Sequence, residues 1–326
     1  MPIIENDSWR QQYFHDGECP EDVVIPTDDA LAYPLYPAHR WIYNKLRICE
    51  TQGLVHAPHG IAPTEFPVFS KPIYNLRGMG AGGKILRSIA EYQRAQTPGH
   101  LWMPLLVGEH VSTDVAVVDG EPRWWRHAMG KARDQGMFDY WTVLPEPRPE
   151  IEAYCGAWLR RYLATYSGMV NVETIGGTII EAHLRCTDQW PDLYGPGWIA
   201  SLVELYARKQ WRYADTHRQT GYSVVLFGPH GRRYHSIDHT VVTGLRSRPS
   251  ISSIQITFHD DLPPEAHAMP PGGFRLAIVN CWDLAAGNAV RDALAQHFLV
   301  SHGTSRRSLE QDSTEKSPLP RKNEEV

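Results

Sequence analysis

No apolar run in the 326-residue sequence approaches the ~20 residues that a membrane-spanning helix needs, which excludes an integral helical membrane protein. Cysteine is scarce: Cys19, Cys49, Cys155, Cys186 and Cys281 are odd in number, widely spaced and form no CxxC pair. That pattern excludes a disulfide framework and a zinc ribbon, and it suits a reducing, cytoplasmic compartment. A basic excess is missing as well. Lys and Arg number 32 against 37 Asp and Glu, a formal charge of −5, whereas nonspecific nucleic-acid binding needs a cationic surface. The opening residues MPIIENDSWR also lack the charged leader and apolar core of a secretory signal.

What is present is ordinary for a globular protein: 42% hydrophobic and 21% charged residues, in a chain long enough for two domains of roughly 150 residues. The charge is unevenly spread. Residues 1–36 hold eight acids against Arg10, a local charge of −7, so the remainder is about +2. This mild bias would suit an anionic small molecule.

Periodicity and turn residues divide the chain into five parts of an α+β protein. Residues 1–37 read as an acidic irregular arm. From 38 to 100 a helix ending at Gly53 is followed by a short strand (66–72), a glycine-dense loop (Gly78, Gly80, Gly82, Gly83) and a helix over 85–96. In 101–215 come an apolar run (101–107), a hairpin around Asp119-Gly120, a helix over 151–166, two strands (169–175 and 178–185) across Gly176-Gly177, and a helix over 197–211. A β-rich piece spans 216–300 with a closing helix over 284–298, and the polar stretch 301–326 should be disordered.

The chemistry concentrates in the second glycine hairpin. Glu181, His183 and Arg185 alternate with Ala182 and Leu184, so the polar three share one face of a strand. Two carboxylates (Glu173 and Glu181), a third donor and an arginine make a plausible divalent-ion site with a phosphate clamp. A parity condition applies. Glu173 shares a face with Glu181 if the connecting loop is odd in length, as with a three-residue bulged turn; a strict Gly-Gly turn would set them on opposite faces. The bland alternative is a half-exposed antiparallel pair facing water. Lys71 closes an apolar strand just before the glycine loop, whose backbone N–H groups can approach phosphate oxygens, although the loop matches neither the P-loop nor the dinucleotide fingerprint.

Four segments in order, Tyr43-Asn44-Lys45-Leu46, Phe66-Pro67-Val68-Phe69-Ser70-Lys71-Pro72, the run from Pro104 to Asp114, and Glu173 with Glu181-Ala182-His183-Leu184-Arg185, together resemble the ATP-grasp superfamily over about residues 38–215. The β-rich piece looks like the small closing domain of its biotin-carboxylase-like, carboxylate–amine ligase branch. The resemblance implies two α+β subdomains gripping ATP. Lys45 and Lys71 would contact phosphates, the four glycines would cover them, and residues 101–106, with Met103 and Leu105, would read adenine. Glu173 and Glu181 would hold Mg²⁺, and Arg185, with Lys71, would serve the transferred phosphate. Three departures stand out. His183 replaces the usual asparagine and would suit Mn²⁺ or Zn²⁺ better than Mg²⁺; Met103 and His110 occupy places where acidic residues often meet the nucleotide; and the usual independent N-terminal domain has no counterpart before Lys45.

The resemblance implies an ADP-forming ligase that joins a small-molecule carboxylate to an amine or thiol through an acyl-phosphate. A small-molecule kinase and a non-catalytic nucleotide-binding subunit remain open on the same residues, as does a partner subunit or a homo-oligomer. Weaker signals are His235 and His239, read as strand residues ~13 Å apart; Trp124 and Trp125, of which one should be core; Arg126, Lys131 and Arg133, read as a basic loop; and Cys186, read as a buried thiol.

Overall fold

A computed structural model describes residues 3–298 apart from 5–6, 8, 15–16, 77, 134–135, 264–265 and 268–269. The segment 301–326 lies outside the described residues. The N-terminal stretch is not irregular. Ile3–Ile4 (β1) pairs in parallel with Ile25–Pro26 (β2), and Asp28 caps helix α1 (Asp29–Leu35) by accepting from the Leu31 N–H. Tyr13, Phe14, Ile25 and Ala32 are buried in cores built by later elements. These apolar residues are too sparse to show a period, so sequence alone did not mark the segment as packed.

Asn44 caps α2 (Lys45–Thr51), accepting from the Leu46 and Arg47 N–H groups. A small antiparallel sheet follows, made of β3 (Ala57–Pro58), β4 (Val68–Pro72), β5 (Lys84–Leu86) and, after α3 (Ile89–Ala95), β6 (His100–Pro104), in spatial order β3-β6-β4-β5. The helix expected over 85–96 starts late because residues 84–86 pair with β4 and Ser88 caps α3 by accepting from the Glu91 N–H.

The large sheet takes β7 (His110–Val118), β8 (Glu121–Ala132), β9 (Phe138–Leu144), then after α4 (Pro149–Tyr162) β10 (Gly168–Ile175) and β11 (Thr178–His183), after α5 (Trp198–Arg208) β12 (Gly221–Gly228), after α6 (His239–Arg246) β13 (Ile251–Ile256) and β14 (Phe274–Cys281), with α7 (Leu284–Phe298) last. Its order is β11-β10-β7-β8-β9-β12-β14-β13. Asp119 and Gly120 turn β7 into β8 with φ of +48° and +77°, as their residue types require. The sheet does not stop at 216: residues 221–224 of β12 pair with 140–143 of β9, so the C-terminal strands extend the same sheet rather than forming one of their own. His239 begins a helix, not a strand, because Asp238 caps α6 by accepting from the Thr240 N–H.

Alternation along the strands gives the large sheet two buried faces. Val115, Val170, Val172 and Ala182 pack under α2 and α4, while Trp124, Ala128, Met169 and Val225 pack under α5. Among the described residues no helix is long and apolar enough to cross a membrane.

Candidate active site

The hairpin of β10 and β11 turns through Gly176 and Gly177, whose φ values of +56° and +81° favour glycine. Ile175 pairs with Thr178 and Thr174 with Ile179, but Glu173 pairs with Glu181 and Asn171 with His183. The register therefore changes at a bulge that leaves Ile180 as the extra residue. The turn is the strict two-residue kind, and the parity condition is met by a bulge inside β11 instead of by an odd loop. The bulge has a second consequence. The Ile180 carbonyl, outside the regular ladder, accepts a hydrogen bond from Lys71 Nζ at 2.8 Å.

Glu173, Glu181 and His183 each bring a donor atom to within 4.8 Å of the others. Nitrogen groups crowd them: the Lys45 ammonium Nζ lies 2.8 Å from Glu181, and the His110 imidazole Nε2 lies 2.9 Å from Glu173. Lys45 opens α2 and Lys71 sits near the end of β4, both buried. Burial alone would raise the Glu181 carboxyl, but Lys45, His183 and Lys71 hold it well below the usual carboxylate range. Burial pulls Lys71 down to about 8, opposed by Glu181 and reinforced by Lys45.

Lys45, Lys71, His110, Glu173 and Glu181 line a cavity of about 260 Å³. Its walls are Phe69, Ile175, Ile180, Phe138, Trp141, Val225 and Phe227, and Met79, Gly80, Ala81 and Gly83 of the loop between β4 and β5 lie across it. Within that loop Gly78, Met79, Gly80 and Gly82 all have positive φ, between 60° and 79°. An adjoining pocket of about 450 Å³ contains Arg10, Arg185, Arg275, Asp28, Asp29, Asp188 and Gly78, and shares Arg275 with the first. Asp188 holds Arg275 at 3.1 Å and Arg10 at 3.5 Å. Asp29 Oδ2 accepts from His183 Nδ1 at 2.9 Å and from Arg185 at 3.0 Å. Against the effect of burial, Arg185 and His183 hold the Asp29 carboxyl at about 2.

The residues expected from sequence fall into three groups. Lys45, Lys71, Gly80, Gly83, His110, Glu173 and Glu181 meet at the main cavity. Gly78 and Arg185 line the adjoining pocket, and His183 is buried between Asp29 and the glutamates. Gly82, Met103 and Leu105 line neither cavity; Met103 faces the core between α2 and the small sheet, against Cys49 and Leu101. Arg126 and Lys131 belong to β8 rather than to a loop, and Arg126 is buried against Asp215. Trp124 is core, Trp125 is half-buried against the α4 side, and neither lines these two cavities. Cys186 is a buried thiol that burial pushes well above its ordinary range.

Sequence reading missed Asp29, Arg275, Phe138, Trp141 and Phe227. Two of them carried a signal: Thr27-Asp28-Asp29 before Ala30-Leu31-Ala32 is a helix start, and Arg275 is the lone charge in the apolar run of β14. The aromatic three carried none, because Phe227 joins Phe138 and Trp141 of β9 only through the pairing of β9 with β12.

The donor set fits a divalent ion. Two carboxylates and an imidazole spread over 4.8 Å approach the roughly 4 Å between opposite ligands of an octahedral ion, and Asp29 Oδ1 beside them is buried without a hydrogen-bond partner.

No protein-family model and no curated protein sequence matches the chain. Solved structures do. An L-amino acid ligase from Bacillus licheniformis is 13% identical with a TM-score of 0.57, covering 89% of this chain and 82% of that one. A carboxyaminoimidazole ribonucleotide synthase from Aspergillus clavatus, complexed with ATP, is 13% identical with a TM-score of 0.55 over 80% of this chain and 75% of the other. The biotin carboxylase domain of the Hydrogenobacter thermophilus 2-oxoglutarate carboxylase, in complex with MgADP, is 15% identical with a TM-score of 0.52 over 80% and 66%. At these identities the likeness is one of fold: this chain has the ATP-grasp fold.

Proposed function

We propose that the protein is an ATP-dependent, ADP-forming ligase that joins a carboxylate to an amine or thiol through an acyl-phosphate. The observation that carries this reading is the meeting of Lys45, Lys71, Glu173 and Glu181 at a cavity that is also lined by the aromatic rings of Phe69, Phe138, Trp141 and Phe227. ATP has the same division, a flat base and a polyanionic tail. Phosphoryl transfer asks for alignment and charge neutralisation more than for a covalent protein group.

Lys45 pairs with Glu181, and Lys71 donates to a backbone carbonyl. A phosphate oxygen is a stronger partner for Lys71 than the neutral carbonyl it now meets, and a divalent ion on Glu181 would release Lys45 toward the same phosphates. Glu173, Glu181 and His183 would hold Mg²⁺ or Mn²⁺, which supplies neutralisation of the phosphate charge. The glycine loop offers backbone N–H groups from above. A carboxylate substrate fits the adjoining pocket, where Arg185 and Arg275 present guanidinium groups. Its oxygen attacks the γ-phosphorus as the bond to the bridging oxygen breaks and ADP leaves. The amine nitrogen then attacks the acyl carbon, phosphate leaves, and the amine proton passes to solvent. The named neighbours, an amino acid ligase among them, support this class of reaction.

An ADP-release screen across carboxylates and amines, with Mg²⁺ and with Mn²⁺, tests the proposal. ADP formation that needs both substrates and vanishes in Glu181→Ala is the expected result. A stable phosphorylated product made without amine would mark a kinase, and ATP binding without turnover on any pair would mark a nucleotide-binding subunit.

A further inference from the structure

His183 is the nitrogen donor of the Glu173, Glu181, His183 cluster, and a residue from far along the chain fixes it. Asp29 opens α1, is 2% exposed, and places Oδ2 2.9 Å from His183 Nδ1. Because Asp28 caps that helix, the position of Asp29 follows from backbone geometry. The same oxygen accepts from Arg185, whose other terminal nitrogen donates to the Cys186 carbonyl at 3.0 Å. Tyr43 walls the imidazole edge-on at 6.3 Å, and its hydroxyl oxygen accepts from the Leu184 N–H at 3.1 Å. The ring is thus tied at Nδ1 and closed in by Tyr43. In the neutral tautomer whose Nδ1–H donates to Asp29 Oδ2, Nε2 keeps its lone pair. A carboxylate behind an imidazole fixes the tautomer and strengthens the nitrogen as a ligand.

We infer that Asp29 is a positioning residue that makes the hairpin a transition-metal site, in which Glu173, Glu181 and Nε2 of His183 take Mn²⁺ or a later first-row ion in preference to Mg²⁺. Mg²⁺ is satisfied by oxygen ligands and water, whereas a mixed nitrogen and oxygen set binds first-row ions with affinity rising from Mn²⁺ upward. Mn²⁺ is therefore the most demanding probe of the series. The inference rests on reading the hairpin as the ion-binding end of a nucleotide site. A merely structural Asp29–His183 contact would tie the N-terminal segment to β11 and leave ion choice untouched.

The test is a Mn²⁺ titration of the full chain without nucleotide. Electron paramagnetic resonance follows free Mn²⁺, pulsed measurements look for coupling to an imidazole nitrogen, and Mg²⁺ serves as competitor. The wild type should show nitrogen coupling and bind Mn²⁺ at least about tenfold more tightly than Mg²⁺. His183→Asn should lose the coupling and the preference together. Asp29→Asn should weaken Mn²⁺ binding by about ten- to a hundredfold while keeping the coupling, with partial recovery in Asp29→Glu. If Asp29→Asn fails to fold, His183→Asn carries the test. Absence of Mn²⁺ binding or of nitrogen coupling in the wild type, or unchanged Mn²⁺ affinity in His183→Asn, overturns the inference. ADP titration of the same proteins separates the two levels: normal ADP binding without nitrogen coupling sinks this inference alone, whereas failure of both sinks the nucleotide reading with it.

Discussion

The two ends of the cavity are built in opposite ways. At the charged end the carboxylates sit on adjacent strands of one hairpin, and each is held by a neighbour: the Lys45 ammonium on Glu181, the His110 imidazole on Glu173. At the aromatic end Phe138 and Trp141 of β9 and Phe227 of β12 come together because those strands pair, and Phe69 is brought to them by β4 of the small sheet. The carboxylate pair of the charged end depends on local alternation and a bulge; the aromatic end depends on strand pairing in the large sheet and on the small sheet's β4. On this account chemistry lives at the first end and nucleotide affinity is shared with the second, so substitutions at the two ends should separate turnover from binding.

The largest effect is expected at the charged end. Glu181→Ala removes an ion ligand and the partner of Lys45, and turnover should fall more than about a hundredfold with the far-ultraviolet dichroism unchanged. The comparison breaks if a conservative aromatic change costs as much. Lys71→Met comes next, weakening ADP by about tenfold or more. It also has a signature in pH. Lys71 is held at about 8, against an ordinary value of 10.5, so nucleotide affinity should decline as pH rises through about 8 and the charge is lost. Stability moves the other way. Between about 8 and 10.5 the unfolded chain binds the proton that the folded chain has released, so this group makes unfolding harder as pH rises. Denaturant titrations across that window should show the rise in the wild type and a flatter profile in Lys71→Met.

At the aromatic end Phe227→Leu should weaken ADP by roughly three- to tenfold and leave the rate at saturation unchanged, as saturation kinetics would show. An equal loss in the saturated rate would mean that the two ends are not separable. The smallest effect sharpens the role of the hairpin itself. Gly177 has φ +81° with open space around its Cβ position, so Gly177→Ala should cost about 1 kcal/mol of backbone strain in denaturant unfolding while Glu173 and Glu181 stay paired.

The same contrast explains what could be read from sequence. The alternation Glu181-Ala182-His183, the Asp119-Gly120 turn and the helix over 284–298 are properties of neighbouring residues and appear as expected, although β11 ends at His183, short of the expected Arg185. The bulge at Ile180 was not legible, because Thr178-Ile179-Ile180-Glu181 pairs equally well in either register until the rest of the sheet fixes it. Asp29 was hidden in a segment that read as an acidic irregular arm, and its burial depends on Arg185 and His183 about 150 residues away, the hydrogen bonds spanning 156 and 154 positions. Met103 and Leu105 fall in the expected run, yet strand alternation in β6 turns Met103 toward Cys49 and Leu101, away from the cavity. Local chemistry was visible, and long-range pairing was not.

The central claim is that Lys45, Lys71 and the hairpin receive the phosphates of a nucleotide while the aromatic wall receives its base. Calorimetric titration of the full chain with ADP, in the wild type and in Lys71→Met, tests it most directly. One equivalent of ADP bound by the wild type, and at least about tenfold weaker binding by Lys71→Met, is the result the account predicts. No binding, or equal affinity in the two proteins, would contradict it.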